Sequence, residues 1–321
     1  MNISKFLRLP YESKLIIING GLGNQIFQYA LGAYFENKFN KKVFYLDISQ
    51  TYKLDYILGN KNLHDSKLKK LFNLELKMLK TNQILKWPSS LLLNGYLMRL
   101  FNLIYYKFNL RISRNIIFDK DLQIENIEKY VEDNSSIIFF GYWHHLTDRI
   151  LNETFRKNII FLESLTIPEE IKSIVLGAQN IAVHVRRGDN AVRKKSIEAF
   201  GTLPINYYLS AINLLRSKYG NLKVIFFTDD REWTQECLLP KVRNSIIFDK
   251  KFSNSTKDFF LMSKCSHFVI SNSTYSWWGS YIARIYNPNC HIVFPSHFYR
   301  LTKIQKYYIP YRDNFSIVNR Y

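Results

Sequence analysis

The sequence predicts an α/β protein whose strands pair in parallel, and three features carry that prediction. Lys14 to Asp47 reads strand, glycine turn, helix, strand, which is the order of a βαβ unit. From Pro168 onward, short apolar runs alternate regularly with helical patterns, as a doubly wound sheet requires. Within that second stretch lies Ile181-Ala-Val-His184-Val185, an apolar strand that runs into Arg186-Arg187-Gly188-Asp189. A boundary around Glu163 to Pro168 divides the chain into residues 1–165 and 166–321.

The composition is that of a folded chain, with 47% hydrophobic and 22% charged residues over a length of 321. Lys and Arg number 45 against 26 Asp and Glu, a net charge of +19. That excess fits acidic partners such as phosphorylated donors, anionic membrane or nucleic acid, or else a general drift toward Lys, Asn and Ile. The three cysteines, Cys237, Cys265 and Cys290, lack metal-ligand spacing and fit a reducing compartment. Met1 to Ser13 has neither a continuous apolar core nor a small-residue cleavage site, so a cytoplasmic location is expected.

In the first half, the Lys14 to Asn19 strand leads into Gly20-Gly21-Leu22-Gly23-Asn24-Gln25 and a helix through Phe27, Ala30, Leu31 and Tyr34. Glycines permit close backbone approach, and the helix start offers free N–H groups. The spacing matches neither the dinucleotide fingerprint nor the P-loop. Lys42 to Asp47 completes the unit. Ser89 to Leu110 is the most apolar stretch, read as a buried helical hairpin or as a helix lying on a membrane face. Asp119 and Asp121 form a carboxylate pair that fits a divalent cation or a solvated loop. Ile137 to Tyr142 is a strand, and Tyr142-Trp143-His144-His145 after it fits a sugar-stacking surface or the edge of the core.

In the second half, strands are expected at Ile181–Val185, Leu222–Phe227, Ser245–Phe248, His267–Ile270 and His291–Phe294, with helices at Pro204–Tyr219, Asp258–Lys264 and Tyr275–Tyr286. Three of those strand ends carry unusual polar residues, and ligands of open α/β sheets bind at that edge. At the first, His184, Arg186, Arg187 and Asp189 suit a phosphate-bearing ligand, or form an ordinary solvated salt bridge. At the second, Asp229 or Asp230 can accept the paired N–H donors of guanine, which adenine lacks, while Asp230 also fits a helix N-cap. The third is Ser271-Asn272-Ser273-Thr274 at a helix start, suited to a diphosphate. No nucleophile elbow surrounds Ser273.

The segments Gly-Gly-Leu-Gly-Asn-Gln-Ile-Phe-Gln-Tyr-Ala at 20–30, His-Val-Arg-Arg-Gly-Asp at 184–189 and Ser-Asn-Ser-Thr-Tyr-Ser-Trp-Trp-Gly at 271–279 together resemble bacterial α1,2-fucosyltransferases, over roughly Lys14 to Pro295. The resemblance implies a GT-B-type glycosyltransferase with two facing Rossmann-like domains: residues 1–165 on the acceptor side and 166–321 binding the GDP-sugar. It further implies an inverting reaction, GDP-β-L-fucose as donor, no required metal or other cofactor, and a terminal β-galactoside of a surface polysaccharide, lipid-linked in one reading, as acceptor. The His-X-Arg-Arg pattern is shared with α1,6- and protein O-fucosyltransferases, whose first arginine contacts donor phosphate; that residue is Arg186 here.

On this reading Arg186 is catalytic, neutralising the leaving group, and Asp189 is a candidate base or an orienter of Arg186. Arg187 holds the phosphate loop and with His184 is counted among the substrate-binding residues, Asp229 or Asp230 reads guanine, and Asn272, Ser273 and Thr274 hold the diphosphate. Gly21, Gly23, Asn24 and Gln25 meet the donor from the other domain. Alternatives are another linkage, another GDP-sugar, a membrane-surface protein resting on Ser89 to Leu110, or a basic nucleic-acid binder; no nucleic-acid recognition motif supports the last.

Overall fold

The computed structural model describes residues 12–48, 67–74, 76–78, 116–119, 127–144, 151, 161, 167–248, 253–300 and 313–320. The chain divides into two compact units, Met1–Leu162 and Glu163–Tyr321. Ser89 to Leu110 lies outside the described residues. Among those described, no helix is long and apolar enough to cross a membrane.

The first unit is built on a four-stranded sheet of order β2-β1-β4-β3, with β1 at Lys14–Ile18, β2 at Val43–Asp47, β3 at Ile116–Phe118 and β4 at Ile137–Phe140. Every pairing is parallel. Such strands are covered on both faces, which explains their unbroken apolar sequences. Helix α1, Leu22–Phe39, joins β1 to β2 and is buried over most of its circumference. Its Gly32 lets the Tyr45 ring lie against the helix backbone, because a side chain there would overlap the phenol. Two short helices, α2 at Leu68–Leu71 and α3 at Ile127–Glu132, complete the described part. The buried Lys14 ammonium donates to the carbonyls of Asp133 at 2.6 Å and Ser135 at 2.9 Å, tying β1 to the turn before β4. Burial lowers its pKa to about 8.

The second unit opens with α4, Glu169–Leu176, and β5, Asn180–Val185. There follow α5, Gly188–Val192, α6, Lys194–Ala199, α7, Ile205–Tyr219, and β6, Lys223–Thr228. Helix α8, Arg231–Trp233, then runs on through a π turn at Thr234–Leu238 and a 3-10 turn at Leu239–Lys241. The chain continues with β7, Ser245–Ile247, α9, Ser255–Met262, β8, His267–Val269, α10, Thr274–Tyr286, β9, Ile292–Pro295, and β10, Phe315–Val318. The sheet order is β10-β9-β8-β5-β6-β7, parallel throughout. The chain therefore starts in the middle at β5, winds outward to β7, and returns to β8 on the other side of β5. This is the doubly wound order, and its reversal lies between β5 and β8.

The expected strands all form, with ends shifted by a residue or two. Three elements lack a sequence signal. Helix α6 buries none of its residues and α5 only Asn190, so neither shows apolar periodicity. β10 is a short, half-exposed edge strand. By contrast, α7 places Tyr207, Tyr208, Ala211, Ile212 and Leu215 on one buried stripe and packs against β5, β8 and β10, as its helical spacing requires.

Three buried imidazoles in this unit stay neutral. Burial and then Arg186 bring His184 down to about 3, while burial and then Lys218 bring His267 and His291 to about 4. The unfolded values lie near 6.5. Below pH 6.5 the unfolded chain thus takes up protons that the native state refuses, so stability present above pH 6.5 is lost as pH falls toward 4. Asp258, pushed up to about 6 by burial, takes up one proton in the folded state over the same range and offsets one of the three. The urea midpoint should fall steadily between pH 6.5 and 4.5, and more gently in His267→Phe; a midpoint flat over that range would contradict the assignment of neutral histidines.

Candidate functional site

The register of β5 against β6 pairs Val185 with Thr228. The next residues along each strand, Arg186 and Asp229, therefore leave the sheet edge side by side. Arg186 Nη1 donates to Asp229 Oδ2 at 2.5 Å, and its Nη2 donates to Asp189 Oδ1 at 2.5 Å. A guanidinium has five N–H donors, so this two-point anchorage fixes the plane of the side chain and leaves three donors for a ligand. Asp229 Oδ1 also accepts from the backbone N–H groups of Arg187 at 2.8 Å and Gly188 at 3.2 Å. One carboxylate thereby shapes the whole turn.

Gly188 is glycine because of that carboxylate: a Cβ there would stand 2.6 Å from Asp229 Oδ2. Arg187 turns the other way. Its Nε donates to Asp230 Oδ2 at 2.9 Å, and its guanidinium lies 4.0 Å from the centre of the Trp233 ring. Asp230 Oδ1 caps α8 by accepting from Trp233 N at 3.2 Å. Each oxygen of Asp230 thus accepts one hydrogen bond and retains acceptor capacity, whereas Asp229 Oδ1 already accepts two.

On the other side of β5, across the β5/β8 reversal, His184 Nδ1 meets Ser271 Oγ at 2.7 Å in a buried contact, and its ring packs on Tyr275 at 5.2 Å. His184 is neutral, so it serves as a hydrogen-bonding spacer in this place and carries no charge. Ser273 is the N-cap of α10, its hydroxyl accepting from Tyr275 N at 3.3 Å, and Thr274 is the first helical residue. Asn272 is buried, and its amide lies 3.1, 3.2 and 3.4 Å from the carbonyls of Phe200, Gly201 and Phe298. It holds those loops together beneath the helix start. Arg320, also buried, donates to the carbonyls of Phe200 and Phe298 as well. The second unit therefore gathers Arg186, Asp189, Arg187, Asp229 and Asp230 at the ends of β5 and β6, with His184 and Ser271 to Thr274 at the reversal point.

The glycine turn belongs to the first unit, at that sheet's own reversal between β1 and β4. Gly21 is the N-cap of α1 with open space where a side chain would be, and Gly23 is buried in the first turn. Asn24 Oδ1 lies 3.0 Å from His144 Nε2. Gln25 is fully buried; it donates to Gly20 O at 2.9 Å and accepts from Lys67 N at 2.9 Å, so it braces the turn from within. Asp119 accepts from Tyr142 N at 2.9 Å, and a Cβ on Gly141 would stand 2.5 Å from it, which makes Asp119 the brace of the turn after β4. Asp121 and His145 lie outside the described residues. Among those described, no group of three His, Cys, Asp or Glu side chains could hold a metal ion.

The stacking of Trp233 on Arg187, the pairing of Ser271 with His184 and the packing of Gly188 on Asp229 leave no mark in the sequence, because each depends on which strand ends lie side by side. Sequence reasoning also missed Asp258, whose buried carboxyl accepts from Ser253 Oγ at 2.7 Å and lies near Arg231. A perturbed carboxyl can mark a functional site, but an acidic residue in the first turn of a short helix reads in the sequence as an ordinary exposed one.

Comparison with known proteins gives the family model described as glycosyl transferase family 11, matching residues 14–289. The chain is 29% identical over 281 residues to the Escherichia coli O-antigen biosynthesis glycosyltransferase WbnK, covering 83% of this chain and 88% of that protein. It is 26% identical over 278 residues to an Escherichia coli alpha-1,2-colitosyltransferase, covering 82% and 85%. A shorter match of 152 residues, 27% identical, joins 44% of this chain to 39% of the Bos taurus galactoside 2-alpha-L-fucosyltransferase SEC1.

The packing of Gly188 against Asp229 makes a specific prediction. Gly188→Ala should destabilise the protein by about 1–3 kcal/mol in urea unfolding, the usual cost of overpacking. In an Asp229→Ala background the same change should cost less than about 0.5 kcal/mol, because its obstacle is gone. Equal costs in the two backgrounds would show that the carboxylate does not set the turn.

Proposed function

The chain belongs to glycosyl transferase family 11, and on that premise we propose that it moves L-fucose from GDP-β-L-fucose to the 2-hydroxyl of a terminal β-galactoside, with inversion at the anomeric carbon, in O-antigen or other surface-polysaccharide synthesis. The observation that carries the reading is Arg186, anchored by Asp189 and Asp229 at the carboxyl ends of β5 and β6, the edge of the sheet where such folds bind their ligands and next to the β5/β8 reversal. The fucosyl and galactoside parts draw support from the motifs at 20–30, 184–189 and 271–279 and from the bovine relative, and the O-antigen part from WbnK.

As the anomeric C1–O bond breaks, negative charge grows on the GDP β-phosphate. Arg186 meets it with donors whose orientation is already fixed, so little reorganisation accompanies the reaction. In this proposal a guanidinium does the work that a divalent cation does in other transferases, and no metal is needed. Arg187, held by Asp230 and Trp233, keeps the turn rigid. Ser273 and Thr274 meet the diphosphate at the start of α10, and Asp230, with acceptor capacity left, reads guanine more readily than Asp229. Asp189 orients Arg186 through Oδ1, and Oδ2 is the atom that would take the acceptor proton.

The facing GT-B arrangement of the two units belongs to the same proposal, with the glycine turn at Gly21, Gly23 and Asn24 closing on the donor and the acceptor bound to the first unit. So do a lipid-linked acceptor and a site of action on the cytoplasmic face of the membrane. The similarity to a colitosyltransferase favours one second reading, in which the GDP-linked sugar is not fucose.

Incubation with GDP-β-L-fucose and a β-galactoside in EDTA should give an α1,2-linked product, identified by NMR. Competing donors would reveal a preference for another sugar. Arg186→Ala should lower kcat by about two to four orders of magnitude, and Arg186→Lys should recover only part of it, because an ammonium cannot reproduce the anchored fork. Near-normal turnover of Arg186→Ala would refute the assignment.

A further inference from the structure

The turn after β4 has features that neither core packing nor donor binding requires. Tyr142 is 41% exposed and its ring stacks on His144, with centroids 5.4 Å apart and planes 11° from parallel. Between them Trp143 is fully buried with φ at +59°, a backbone state that a bulky side chain occupies only at a cost. That conformation sends the indole into the core and leaves the two flanking rings stacked one on the other, with Tyr142 the more exposed.

The pair is held on several sides. Asp119 fixes Tyr142 N, Gln28 Nε2 donates to Gly141 O at 2.8 Å, Asn24 holds the His144 imidazole, and Phe27 packs against it at 5.2 Å. A Cβ on Gly20, whose φ is +74°, would stand 3.1 Å from the Tyr142 ring, so the phenol lies over the glycine turn. A braced aromatic pair thus sits at the sheet reversal of the first unit, with the Tyr142 ring exposed and the His144 ring half-buried beneath it.

We propose that the Tyr142–His144 pair is a stacking platform for the terminal pyranose of the acceptor glycan. This rests on the reading that the acceptor ends in a β-galactoside. The axial 4-hydroxyl of galactose leaves C3–H, C4–H and C5–H on one apolar face, which matches the face of an aromatic ring. A nucleotide diphosphate would call for fixed positive charge, and the described cluster that supplies it is in the second unit.

The test combines saturation-transfer NMR with lactose, acceptor kinetics, and calorimetric titration with GDP, on the wild type, Tyr142→Ala and Tyr142→Phe. Saturation should reach galactose H3, H4 and H5 in the wild type and in Tyr142→Phe, and vanish in Tyr142→Ala. The acceptor KM should rise about tenfold in Tyr142→Ala, with GDP affinity within about twofold of wild type in all three. An unchanged acceptor KM and NMR signal in Tyr142→Ala, no saturation of galactose by the wild type, or a loss of GDP affinity in Tyr142→Ala would each overturn the platform. If the wild type binds lactose through Tyr142 but does not use GDP-fucose, the donor reading fails while the platform stands. If fucose transfer proceeds with the same KM in Tyr142→Ala, the reverse holds.

Discussion

The second unit depends on one carboxylate. Asp229 stands one residue beyond β6, and the parallel register of β5 and β6 delivers Arg186 beside it. Its two oxygens bind the Arg186 guanidinium and the backbone N–H groups of Arg187 and Gly188, so a single side chain sets both the course of the turn and the direction of the charge. A charge held on the surface by one partner contributes little, because solvent and side-chain entropy oppose it. Here two carboxylates and a glycine without room for a Cβ remove most of that freedom. The rest follows: Asp189 completes the anchorage, Arg187 is turned toward Asp230 and Trp233, and three guanidinium donors are left in a fixed orientation.

Both units use the same arrangement. Each sheet is parallel and begins in its interior, with the following strand on one side of the first and a later strand on the other. At each reversal two strand ends diverge and their loops leave a crevice, which is where ligands of such sheets bind. In the second unit hydroxyls stand at the reversal and charge beside it at the ends of β5 and β6; in the first the reversal carries glycines and stacked rings. This division of chemistry is what the proposed reaction asks for, with the anionic leaving group assigned to the second unit and the sugar acceptor to the first.

Much of this was legible in the sequence because central parallel strands are apolar on both faces. Ile181 to Val185 and Val224 to Phe227 are strands on that ground alone, and α7 follows from the spacing of Tyr207, Ala211 and Leu215. Helices α5 and α6 were not legible, because a short helix with almost nothing buried leaves no pattern. The charged residues of the site were also visible, but their pairings were not. Which of Asp189, Asp229 and Asp230 holds which arginine is decided by strand register and turn shape. Gln25, Asn272 and Asp119 illustrate the limit: a polar side chain in a turn reads the same whether it faces a ligand or holds backbone, and in the structure all three hold backbone groups.

The central claim is that an anchored guanidinium at the end of β5 receives the nucleotide's diphosphate. The most direct measurement is calorimetric titration of the protein with GDP, GMP and guanosine in the presence of EDTA. Affinity should rise steeply from guanosine to GDP and need no added metal. Equal affinity for guanosine and GDP, or a GDP affinity that appears only with Mn²⁺, would contradict it.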